Sequence, residues 1–292
     1  MRLPHFEYYI PESIEDACKF LRDHSGEAFP LAGGTDLLVK MKQRRIVPRY
    51  LINLKKIPDL DYIKYDENDG LRLGALTTIQ SIKNSIIIKR YYKLLSEAAG
   101  MESSVQIRNI ATIGGNIANA SPAADAPLAL IVLGANLILF SLEGERKIYI
   151  GDFFLGPGKT VLRPGEIIRE IHVPPLPRDI GSSYIKHATR RTDIAIASVA
   201  VYLKLVDNIC KDIRIGLGAV APTPFRAKEA EAVLLNKEIT EEMADKSAQA
   251  AVNESRPIDD IRGYADYRAK TIRTITKQAI LEAVKDARLG GI

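Results

Sequence analysis

The chain is poor in the side chains that hold metals. It has two cysteines, Cys18 and Cys210, far apart in 292 residues, whereas an iron–sulfur cluster usually takes four thiolates. They do not form a CxxC pair and read as reduced, packed thiols. The four histidines, His5, His24, His172 and His187, are scattered without ligand spacing, so no protein-bound metal is expected. No apolar run approaches the ~18 residues needed to cross a bilayer. The opening stretch MRLPHFEYYIPE lacks the apolar core of an export signal, and the expected location is cytoplasmic. Net charge is +5, with basic residues spread along the chain apart from short groups at Lys40–Arg45 and Arg190–Arg191. A nucleic-acid binder would carry a basic stripe with aromatic stacking platforms, and neither is visible. The mild surplus suits attraction of an anionic cofactor or a partner subunit. Any redox chemistry must come from an organic cofactor.

What is present reads as two units. The first alternates strand and helix. Phe6–Ile10 is extended, and Ser13 caps a helix to about His24 with Glu15 and Asp16 in its first turn. Phe29–Ala32 is a buried strand feeding Gly33-Gly34, Thr35 caps a helix to about Lys42, and Tyr50–Leu54 is a strand. Beyond it, Tyr62–Tyr65 and Leu71–Leu73 flank Asp66–Gly70, a hairpin signal. Helices are expected over Thr78–Asn84 and Tyr91–Ala99, then a glycine-rich turn at Thr112–Asn116 and an apolar helix from Pro122 to Leu133. Ala135–Ser141, Lys147–Ile150 and Ile167–Val173 read as strands, and the proline-rich run Val173–Arg178 as a linker. Three strands follow, Ser183–His187, Ala195–Val206 and Ile209–Val220. Helices near Arg226–Leu234, Glu241–Asn253 and Tyr264–Ala287 complete an α+β unit. The expected domains are 1–175, with subdomains of about 1–56 and 57–175, and 179–292.

Two segments carry the chemistry. In Pro30–Leu38, adjacent glycines after a strand permit positive φ and close approach of a ligand. The helix that follows offers N–H groups suited to a diphosphate. This is neither GxGxxG nor a Walker loop. The second segment, Ile107–Ile117, again joins glycines to hydroxyl and amide side chains able to bond phosphate or ribityl oxygens. Nine residues beyond Asn116 stands Asp125, either an acceptor for ribityl hydroxyls or simply a first-turn helix acid. One such loop is an ordinary tight turn; two at opposite ends of one unit point to a shared ligand.

AGGTDLL at Ala32–Leu38 and NIATIGGNIANASPAAD at Asn109–Asp125 resemble the paired FAD-binding signatures of molybdenum hydroxylase flavoproteins. These include the medium subunits of xanthine, carbon monoxide and nicotinate dehydrogenases and of hydroxybenzoyl-CoA reductases. YIKHATRRTDIA at Tyr184–Ala195 extends the likeness into the second unit. The resemblance implies a two-subdomain FAD-binding domain of the vanillyl-alcohol-oxidase-like (PCMH) type, then a C-terminal domain built on a three-stranded antiparallel sheet with helices. Leu31, Ala32, Gly33, Gly34, Thr35, Asp36 and Leu37 would hold the diphosphate. Ala111, Thr112, Ile113, Gly114, Gly115 and Asn116 would line the other side, with Asp125 at the ribityl and adenosine side and Ile168 at the adenine. Lys186 would approach the flavin ring, its cation favouring an anionic reduced form. No residue is assigned as catalytic.

The implied role is electron exit. A large molybdopterin subunit would hydroxylate the substrate, and a small subunit with two [2Fe-2S] clusters would relay electrons to this FAD, in a dimer of heterotrimers. The acceptor would be NAD(P)+, a quinone, ferredoxin or oxygen. Three departures matter. Carbon monoxide dehydrogenases often have histidine-serine where Thr35-Asp36 stand, which disfavours that substrate. The cysteine-bearing insert of hydroxybenzoyl-CoA reductases is absent. Ile194 replaces an aromatic after Asp193, so an aromatic lid from there is not expected. The alternatives are a self-contained flavin oxidase or dehydrogenase of a small alcohol, for which no catalytic base stands out, and a non-catalytic binding or scaffold protein.

Overall fold

A computed structural model describes residues 2–290. The first unit is β1 (Glu7–Tyr9), α1 (Ile14–Asp23), β2 (Ala28–Leu31), α2 (Leu37–Lys42) and β3 (Tyr50–Asn53). Its three strands lie in the order β1-β3-β2, both pairs parallel, as strands joined through crossover helices must. Ser13 caps α1 as expected, its Oγ accepting from Asp16 N at 3.1 Å. Ser13→Ala is expected to cost about 1 kcal/mol in urea unfolding; an unchanged midpoint would remove the cap from the account.

The second unit runs through β4 (Ile63–Asp66), β5 (Gly70–Gly74), α3 (Ile79–Asn84), α4 (Ile86–Tyr91), α5 (Lys93–Met101), α6 (Val105–Arg108), α7 (Ile113–Ala118), α8 (Asp125–Val132), β6 (Asn136–Ser141) and β7 (Gly144–Tyr149). After a small ribbon of β8 (Phe154–Gly156) and β9 (Lys159–Thr160), β10 (Ile167–Val173) closes an antiparallel sheet ordered β4-β5-β10-β6-β7. Residues 174–179 form no regular element, in keeping with the proline run.

The third unit has β11 (Ile180–His187), β12 (Ala197–Val206), β13 (Ile209–Gly218), β14 (Phe225–Arg226), α9 (Lys228–Leu234), α10 (Glu241–Glu254) and α11 (Ala265–Arg288). Its sheet is antiparallel but has four strands rather than the three expected. The fourth, β14, is two residues pairing with Gly216 and Leu217, too short to leave a period-two trace in the sequence.

Other expectations need correction. Thr35 does not cap α2: Leu38 N already bonds Gly34 O, and Asp36, in αR conformation, is the residue before the helix, with no side-chain cap bond. The Phe29–Ala32 strand is mostly half-buried, not buried. The Thr112–Asn116 segment is no turn but the start of α7, with Thr112 Oγ1 accepting from Gly115 N at 3.2 Å. The apolar helix starts at Asp125 because Ser121–Ala124 makes a separate turn, Ala124 N bonding Ser121 O. The helix expected over Tyr91–Ala99 is two, broken at Tyr92, whose ψ of 46° leaves the helical region.

All eight residues of α8 are buried. It lies against the third unit's sheet, where Gly216 makes room: a Cβ there would stand 2.6 Å from Val132 Cγ2 and 2.9 Å from Leu128 Cδ1. One core therefore runs from Leu71 and Ile79 through α8 to Tyr184, Ala200 and Tyr202. Cys18 and Cys210 are buried and unpaired, and burial pushes their thiols up to about 12 and about 11. Among the described residues no helix is long and apolar enough to cross a membrane.

Candidate functional site

The loop after β2, the start of α7, the start of α8, one residue of β10 and one of β11 converge on a cavity of about 550 Å³. Its wall includes Ala32, Gly33, Gly34, Thr35, Asp36, Leu37, Ala111, Thr112, Gly114, Gly115, Asn116, Asp125, Ile168 and Lys186, fourteen of the sixteen residues singled out in the sequence. Leu31 and Ile113 are not on it. Ile113 is fully buried in the core, and Leu31 packs beneath the loop, its Cδ1 3.0 Å from where a Gly34 Cβ would be.

The glycines serve different ends. Gly34 has φ +75°, a conformation that side chains with a Cβ rarely adopt. Gly33 is needed for contact between the loops: a Cβ would stand 2.3 Å from Ile110 O and 2.9 Å from Ala111 Cα. Gly114 lies against Ala75, its N–H bonding Ala75 O at 2.8 Å. The backbone donors divide accordingly. At the second loop, the N–H groups of Gly114, Gly115 and Asn116 are taken up by Ala75 O, Thr112 Oγ1 and Thr112 O. At the first, those of Gly33, Gly34, Thr35 and Asp36 meet no acceptor among the described residues. With only six residues, α2 adds a weak dipole, so these four free donors are what suits the first loop to an anion such as a diphosphate.

Electrostatics concentrate at the opposite wall. Asp125 Oδ2 accepts from Lys186 Nζ at 2.8 Å, and its Oδ1 accepts from Tyr184 Oη at 2.7 Å. Lys186 also donates to Met101 O at 3.0 Å. Both charged side chains are only 4% exposed. Burial raises the Asp125 carboxyl above its ordinary range, and the ammonium and the phenol pull it back. The two residues thus form one buried unit rather than separate contacts.

Several wall residues escaped the sequence reading. Lys40 donates to Asn119 Oδ1 at 2.6 Å across the two loops. Ile194 lines the cavity and is 59% exposed, with no aromatic beside it at Thr192 or Asp193. Glu102 is the most consequential. Burial, then the Asp125 charge, pushes its carboxyl up to about 8. Its place just before Ser103-Ser104 gives it the look of an ordinary helix-end acid, and no local pattern distinguishes it.

Residues 4–176 match the family model described as the FAD binding domain in molybdopterin dehydrogenase, and residues 182–283 match the CO dehydrogenase flavoprotein C-terminal domain. The chain is 36% identical over 279 residues to the glyceraldehyde dehydrogenase medium chain of Sulfolobus acidocaldarius, covering 96% of this chain and 98% of that one. It is 36% identical to the carbon monoxide dehydrogenase medium chain of Hydrogenophaga pseudoflava, covering 95% and 96%. In structure it is similar to carbon monoxide dehydrogenase from the same organism, with TM-score 0.94, 37% identity and 97% and 98% of the chains covered. Quinoline 2-oxidoreductase from Pseudomonas putida 86 gives TM-score 0.93 at 29% identity, covering 98% and 99%.

Proposed function

Because the chain belongs to the FAD-binding flavoproteins of the molybdopterin dehydrogenases, we propose that it is the electron-exit subunit of a molybdenum hydroxylase. It binds FAD and works as the flavoprotein part of an oxidoreductase whose molybdenum cofactor and iron–sulfur clusters sit on large and small partner subunits. When bound, the flavin takes electrons singly from the clusters and can release two together. Residues 1–175 form the FAD-binding domain and 179–292 the C-terminal flavoprotein domain. The complex is a cytoplasmic dimer of heterotrimers, passing electrons to NAD(P)+, a quinone, ferredoxin or oxygen.

The chain's own residues bind and orient. The free N–H groups of Gly33–Asp36 hold the diphosphate. Thr112 and Asn116 bond its far side, Asp125 faces the ribityl chain, and Ile168 packs on the adenine. Lys186, held by Asp125 and Met101 O, keeps a cation beside the flavin ring without burying an unpaired charge. The observation that carries this reading is the pairing of four unbonded backbone donors on one wall with a buried ion pair on the other.

Substrate choice lies outside this chain. Relatives at the same 36% identity are named for glyceraldehyde and for carbon monoxide. The test is direct: the purified chain, stripped of nucleotide and titrated with FAD in a calorimeter, is expected to bind one equivalent and turn yellow. Absence of uptake would sink the proposal.

A further inference from the structure

Glu102 enters the cavity wall from the end of α5 through a constrained turn. Ser103 has φ +43°, in the left-handed region. The buried Arg108 pins this turn, its Nη1 donating to Glu102 O at 2.8 Å and to Ser103 O at 2.7 Å while Nε donates to Gln80 Oε1 at 3.0 Å. The side chain so placed meets Asn116, whose Nδ2 donates to Glu102 Oε1. Glu102 Oε2 and Asn116 Oδ1 are both shut off from solvent, and neither has a hydrogen-bond partner.

No cation answers this carboxyl. Lys186 is bound to Asp125 and Met101 O, Arg108 to backbone carbonyls and Gln80, and Lys40 to Asn119. The other charges facing it are Asp125, at the start of α8, and Asp36, just before α2, both of its own sign. The neutral phenol of Tyr184 is already engaged with Asp125. A buried carboxylate without a countercharge and with one oxygen lacking any donor is strongly disfavoured, and a proton on it relieves both defects. Burial and the Asp125 charge agree, setting its titration at about 8.

Resting on the FAD reading, we infer that Glu102 binds the flavin nucleotide as a neutral acid, its protonated carboxyl donating from Oε2 to an acceptor atom of the cofactor. Cofactor binding and protonation of this side chain are then a single linked equilibrium. In its ionised form Glu102 loses the donor and sets a second negative charge near a ligand that already carries a diphosphate. FAD affinity is therefore level below about pH 7 and falls above about pH 8, approaching tenfold per pH unit, with a fraction of a proton taken up for each FAD bound.

The experiment is calorimetric titration of FAD into the full-length, nucleotide-free chain from about pH 6.5 to 9, in buffers of different ionisation enthalpy. The wild type is expected to lose roughly tenfold in affinity between pH 8 and 9 and to take up protons there. Glu102→Gln, which keeps a donor but cannot ionise, is expected to bind with a Kd independent of pH and with no proton uptake. Glu102→Leu, which removes the donor, is expected to bind about tenfold more weakly at pH 6.5, also without slope. A flat wild-type profile, or an unchanged slope in either variant, overturns the inference while leaving the FAD reading intact. Failure of the wild type to bind FAD at pH 6.5 removes the reading beneath it.

Discussion

Lys186→Met is expected to destabilise the protein by about 3–5 kcal/mol at neutral pH, a large fraction of the ~5–15 kcal/mol that holds a domain folded. The lysine side chain is 4% exposed and is the one cation bonded to an equally buried Asp125. Removing it leaves the carboxylate with Tyr184 Oη alone. The loss should depend on pH in a definite sense. Burial already raises the Asp125 carboxyl, and without the ammonium it climbs further. A group raised on folding contributes stability that is full below its unfolded value, ~4 for an aspartate, and is lost as pH rises through the folded value. The deficit of the variant is thus small near pH 4 and largest at neutral pH, which urea unfolding at the two pH values measures. Asp125→Asn combined with Lys186→Met leaves no buried charge, so the double variant should be more stable than Lys186→Met alone. Wild-type stability of Lys186→Met at pH 7 would contradict a buried ion pair here.

Gly33→Val is expected to weaken FAD binding by roughly a hundredfold or more, or about 3 kcal/mol, with a smaller effect on folding. A Cβ at this position collides with the backbone carbonyl of Ile110 at 2.3 Å and with Ala111 Cα at 2.9 Å. Main-chain atoms cannot swing aside as a side-chain tip can, so the two loops must separate. Separation misaligns the four free N–H groups with the other wall, and a ligand gripped from both sides loses one of them. Calorimetry measures the affinity and thermal melting the stability; unaltered affinity would mean that the loops need not touch for the cofactor to bind.

The two halves of the site were legible to different degrees. Gly33-Gly34 and Gly114-Gly115 announce themselves locally, because a missing Cβ is a property of the residue and not of its surroundings. Their reasons were less visible: Gly33 and Gly114 accommodate other protein backbone, and Gly34 alone of the four adopts positive φ. Thr112 was recognised as part of the loop, but its action as a helix cap depends on where α7 begins. Asp125 and Lys186 stand 61 residues apart, and their bond exists because β11 packs beside α8, a tertiary fact that no window of sequence contains. Glu102 was invisible for the same reason, since its chemistry is set by what surrounds it. The strands and helices with strong periodicity were located to within a few residues, whereas β14 has no room for a period and the break at Tyr92 interrupts one continuous apolar pattern.

The enclosure of α8 has a mechanical corollary. A rod gripped along its whole length, and keyed into the glycine notch of the neighbouring sheet at Gly216, cannot tilt without carrying its tip. That tip is Asp125. A docking protein that pushes on the far sheet therefore has a stiff lever leading straight to the cofactor's seat.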